Sequence, residues 1–120
     1  MTTASEEFVE SLARMDARIA GLLAEHRHDN FGETLPHVFM GDVTRFAGEL
    51  ARNGGSDHGV LTSVLAAIED AVTSGIPELQ ELAIASFLEN FHQIDDVYGQ
   101  VAQLLGPESR HALDVIERER

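Results

Sequence analysis

Apolar residues recur every three or four positions along most of the chain, the spacing of one helix face. Phe8, Leu12, Met15, Ile19, Leu22 and His26 open the series. Thr3 and Glu6 stand at capping-box spacing just before them. The pattern predicts a first helix over about 4–27, with Gly21 as its weak point. Its stripe resembles a coiled-coil seam but lasts only about three heptads, so packing within one domain is the expected use. His26 on that stripe reads as a hydrogen-bonded residue at the core edge.

Leu35, Phe39, Val43, Phe46 and Leu50 predict a second helix over 35–52. Thr34 is its expected N-cap, Pro36 lies in the first turn, and Asn53-Gly54-Gly55 is the stop. Val60, Leu61, Val64, Leu65, Ile68 and Val72 predict a third over 57–74, capped by Ser56 or Asp57. Pro77 opens a fourth, to about 92, that is apolar nearly all round; only Glu78, Glu81, Ala85, Glu89 and His92 share a polar strip. A helix so apolar is expected at the centre, with Asn90 on its apolar side and hydrogen-bonded. A fifth helix is expected over 95–105, capped by Asp95-Asp96, and a sixth over 108–118 with Leu113 and Ile116 inward. No stretch alternates with period two. The expectation is one all-α domain over 1–120, a compact bundle of five to six helices. Residues 56–92 also read as one HEAT-like hairpin, so a short hairpin stack is the alternative.

Composition narrows the chemistry. The 120 residues carry 21 Asp and Glu against 8 basic residues, all Arg, for a net charge of −13. Such a surface repels nucleic acid and anionic membranes and attracts a basic protein. With no Cys there is no disulfide scaffold, thiol nucleophile or thiolate metal site. With no Lys there is neither Schiff-base chemistry nor a Walker phosphate loop. No apolar run nears the ~20 residues that span a bilayer. The polar, acidic start is unlike a secretory signal, so a cytoplasmic location is expected.

Candidate site residues are few. Glu89–His92 and Glu108–His111 have the Glu-x-x-His spacing that places two ligands on one helix face in di-iron bundles. They define the alternative reading, a small metal-binding enzyme or sensor. Against it, Glu89 and His92 fall on a polar strip, and Glu108 sits in a first turn, where a carboxylate simply complements the helix dipole. His26-x-His28 with Asp29 reads as loop rather than chelate. No cofactor is expected. Tyr98, the one Tyr in a chain without Trp, follows Asp95 and Asp96 near the acidic strip. Glu89, Asp95, Asp96 and Tyr98 are therefore the candidate partner-binding residues. Asp42 joins them as a carboxylate close to an apolar face that needs a partner, with Arg45 in reach.

Leu35-Pro36-His37-Val38-Phe39-Met40-Gly41-Asp42-Val43-Thr44-Arg45, Ile84-Ala85-Ser86-Phe87-Leu88-Glu89-Asn90-Phe91 and Leu104-Leu105-Gly106-Pro107 resemble segments of a family of small acidic helical bacterial proteins. That family is similar to immunity-type proteins found beside polymorphic toxins. The resemblance implies a cognate toxin as partner and no catalytic residues. The expectation is a non-enzymatic protein-binding module; a self-associating structural protein is the third reading.

Overall fold

The computed structural model describes residues 2–119. They form α1 (Ala4–Ala13), α2 (Ala17–Asp29), α3 (Pro36–Asn53), α4 (Asp57–Val72), α5 (Pro77–Ser86), a 3₁₀ run (Leu88–Val97), α6 (Tyr98–Gln103) and α7 (Pro107–Arg118). The all-α bundle is as the periodicity predicts. A radius of gyration of 13.5 Å matches the ~13.6 Å of a globule this long, which decides for a bundle over an extended stack.

The first helix departs from expectation. It is two helices, broken at Arg14–Asp16 and not at Gly21. Asp16 takes extended backbone (φ −157°, ψ 139°) and accepts the Arg18 N–H on its carboxylate, starting α2 afresh. Met15, placed inward by the stripe, is exposed as a result, while Val9, Leu12, Ile19 and Leu23 are buried. Thr3 caps α1 as its spacing suggests, accepting the Glu6 N–H.

The centre belongs to α3 and not to the 77–92 segment. It packs against α1, α2, α4, α5, α6 and the 3₁₀ run. Phe39, Met40, Val43, Phe46, Ala47 and Leu50 are buried on it, while Leu35, predicted inward, is 38% exposed. Gly48 permits the closest approach: a Cβ there would stand 2.5 Å from Ile94 Cγ2. Thr34 is not the cap of α3; its Oγ1 accepts from Arg27 Nε at 2.8 Å, and Leu35 occupies the N-cap position. Nor does Asp57 cap α4, since its carboxylate is taken by Arg18 and Asn53.

The fourth helix ends at Ser86, six residues early. Thr44 Oγ1 on α3 donates to the Phe87 carbonyl (3.2 Å), and Asn90 Nδ2 donates to the Ser86 carbonyl (2.8 Å). His37 and Ser86 side chains are hydrogen-bonded as well. The Asn90 amide thereby satisfies an orphan carbonyl of the helix end, while Thr44 divides its hydroxyl proton between the Phe87 carbonyl and that of Met40 (3.0 Å) on its own helix. The chain then tightens into 3₁₀ turns kinked at Ile94 (φ −125°, ψ 38°), and Leu88, Phe91, Ile94 and Val97 are all buried at steps of three. The Asp95-Asp96 pair is not the N-cap of α6, which starts at Tyr98 behind Val97; it follows a kink in the run at Ile94.

Two carboxylates tie distant helix starts together. Glu69 on α4 accepts from Ser109 N (2.9 Å), Ser109 Oγ (2.8 Å) and Glu108 N (3.2 Å) at the head of α7. Glu78 on α5 accepts from Ser5 N at the head of α1 (3.0 Å). Gly106 makes room for the first of these, since a Cβ there would lie 2.5 Å from Glu69 Cδ.

Candidate functional site

One face of α3 carries Asp42, Arg45, Glu49 and Arg52, at steps of three, four and three. That spacing makes a single stripe of alternating sign along the helix. The stripe borders an open groove floored by Phe46 and Ile94, with Leu22 of α2 at its edge and Gln93 on the far wall.

Both arginines reach across to the 3₁₀ run. Arg45 pairs with Asp42 and donates from Nη1 to Gln93 Oε1 at 2.7 Å. Arg52 grips Asp96 with two parallel bonds, Nε to Oδ2 at 2.6 Å and Nη2 to Oδ1 at 2.9 Å. The Arg52 pairing holds the Asp96 carboxyl below its ordinary value. Arg18 lies over the Phe46 ring, 5.2 Å from its centroid, and bridges Asp16 to Asp57. The Arg18 guanidinium accordingly keeps both carboxyls below their usual range. Glu69, outside the groove, is pushed up by burial, but its bonds from Ser109 and Glu108 outweigh that and leave it lowered.

Of the residues predicted as partner-binding, only Asp42 lines the groove; Asp96 meets its Arg52 wall, and Glu89, Asp95 and Tyr98 lie along the 3₁₀ run and at the start of α6. Asp42 is half-buried on the groove itself and is paired with Arg45 as anticipated. Asp96 is exposed but bound to Arg52. Glu89 and Asp95 are exposed on the run. Tyr98 is half-buried, its ring edge-on to Phe91 at 5.9 Å. Sequence reasoning missed Arg45 and Arg52 as groove walls. Their alternation with Asp42 and Glu49 was the available signal.

The alternative ligand set stays apart. His92 Nδ1 lies 3.1 Å from the Glu89 carbonyl, while Glu108 and His111 ride on α7. Among the described residues, no three or more His, Asp and Glu side chains gather with the geometry to hold a metal ion. His26 is buried, accepts the Leu35 N–H on Nε2 at 2.9 Å and lies against Phe39, while His28 and Asp29 are exposed on the last turn of α2. No helix of the described residues is long and apolar enough to cross a membrane.

A family model described as a domain of unknown function, DUF7674, matches residues 12–119. The chain belongs to the DUF7674 family. No curated protein and no solved structure matches it. The matched span takes in the whole groove, from Leu22 to Ile94, and begins near the end of α1.

Proposed function

We propose that this DUF7674 protein is a non-enzymatic protein-binding module for a basic partner, and that its specific form is an immunity protein occluding a toxin. The groove of α3 supports the reading: an apolar floor ringed by fixed arginines and carboxylates has the anatomy of a protein interface. Its arginines are already held in place by Asp42, Gln93 and Asp96, so little side-chain entropy is lost on docking. The exposed Asp95 and Glu89 on the 3₁₀ run, and the charge of −13, favour a basic partner. The toxin as partner rests on the resemblance of segments 35–45 and 84–91 to immunity-type proteins.

The test is to mix the protein with the product of a neighbouring gene encoding a basic, toxin-like protein and follow complex formation by stopped-flow and calorimetry. A complex whose association rate falls steeply between low and physiological salt is the expected result. Absence of a complex at every salt concentration overturns the toxin-binding form.

A further inference from the structure

The connection between α2 and α3 displays apolar side chains that the fold does not use. Phe31 is fully exposed, Val38 is 60% exposed and Leu35 38%. Among the described residues, three of the five large exposed hydrophobics, with Met15 and Ile76 the others, thus fall within eight residues. Single exposed hydrophobics are ordinary; a cluster marks a contact surface. Leu35 is the N-cap of α3 and Val38 lies in its first turn, so both stand at the same end of the helix.

This connection is pinned. Gly32 N donates to the Arg27 carbonyl (2.7 Å), Glu33 N to the Asn30 carbonyl (3.0 Å) and Leu35 N to His26 Nε2 (2.9 Å). Arg27 Nε closes it through Thr34 Oγ1. Phe31 is therefore held outward on fixed backbone, at a left-handed φ of 57°. Beside it lies a concavity lined by Glu6, Glu10, Glu33 and Arg27, with Gly32 on its rim. Its one guanidinium is already engaged by Glu10 at 3.0 Å, which leaves the local charge negative.

The geometry points to Phe31, with Leu35 and Val38, as the apolar anchor of a docking surface for a basic protein that offers an apolar pocket. A rigid aromatic knob with an acidic flank fits a cup with a cationic rim. A second copy of this chain, at −13, and an anionic bilayer are repelled by the same flank. The inference rests on the reading of a binding module for a basic partner and assigns it a surface separate from the groove of Asp42 and Arg45.

The test uses three hosts that share one apolar cup: amino-substituted, unsubstituted and carboxymethylated β-cyclodextrin. Binding is followed by backbone amide shifts in the folded protein. The expected shifts are confined to residues 28–38 and the adjoining turn of α1. The cationic host binds about tenfold tighter than the neutral one at low salt, and the anionic host weakest. Phe31→Ala weakens the cationic host at least about tenfold and leaves the melting temperature unchanged. Equal affinity for the three hosts, or shifts centred elsewhere, overturns the proposal. So does a dimer in sedimentation, or pelleting with phosphatidylcholine vesicles, that Phe31→Ala abolishes. Shifts centred on Arg45 and Arg52 alone sink this surface and leave the groove reading standing. Binding at Phe31 without any toxin complex does the reverse.

Discussion

Gly48 shows how a single missing methyl group sets the approach of two elements. In an exposed helix, Gly→Ala gains roughly 1 kcal/mol of helix propensity. At position 48 the new Cβ would lie 2.5 Å from Ile94 Cγ2 and 3.2 Å from Ile94 Cβ. Ile94 is itself fully buried and branched next to its backbone, so it has nowhere to turn. Overpacking of this kind costs about 1–3 kcal/mol, and the clash wins. Gly48→Ala is expected to lower the urea midpoint, with a net loss of up to about 2 kcal/mol. Phe31 is the opposite case. Its side chain is wholly in water and its φ is 57°, a conformation that costs an L-residue roughly 1–2 kcal/mol. Asn tolerates that region, so Phe31→Asn is expected to leave stability unchanged or raise it by up to about 1 kcal/mol. A clear loss in the same urea titration would show that Phe31 is part of the core after all. Phe87, at zero exposure, gives the reference: its truncation to Ala is expected to cost about 3–5 kcal/mol.

At the scale of elements, side chains from elsewhere decide where helices begin and end. Asp16→Ala removes the cap of α2 and is expected to cost about 0.5–2 kcal/mol, read from thermal unfolding. Glu69→Gln removes the charge that receives three bonds at the head of α7. It should cost about 1–2 kcal/mol, with amide exchange quickening first at Glu108 and Ser109. These ties explain what periodicity could and could not reveal. The apolar faces of α3 and α4 were legible because Phe39, Val43, Phe46 and Leu50, then Leu61, Val64, Leu65 and Ile68, all turn inward. The break before Asp16 was hidden because Leu12 and Ile19 keep helical phase across it; Asp16 just before Ala17 was the cue. The end of α5 could not be read locally, because Thr44, more than forty residues earlier, captures the Phe87 carbonyl. The 3₁₀ run did leave a trace in the triplet spacing of Leu88, Phe91, Ile94 and Val97. Candidate-site residues fared similarly. Asp42 and its Arg45 partner follow from i, i+3 geometry, whereas Arg52 meeting Asp96 is a tertiary event with no local signature.

For the whole molecule, the same carboxylates make stability a function of pH. Asp16, Asp57, Glu69, Glu78 and Asp96 all sit below their ordinary values of 3.8 for Asp and 4.5 for Glu. Between the folded and ordinary values the unfolded chain binds more protons than the native one, so stability falls as pH falls. The contribution is complete above the ordinary values and disappears as pH drops through the lowered ones. Self-repulsion acts the other way. At −13 the compact state is strained by its own charge. Repulsion is spread over the surface and screened by salt, whereas the five carboxylates act through short bonds that salt weakens less. The expected profile of urea midpoint against pH therefore falls steeply below about 4.5. Added salt should raise the midpoint near neutrality, where self-repulsion acts, and leave an acid limb in place. Glu69→Gln should make the acid limb shallower, because it removes one of the groups whose proton uptake drives it.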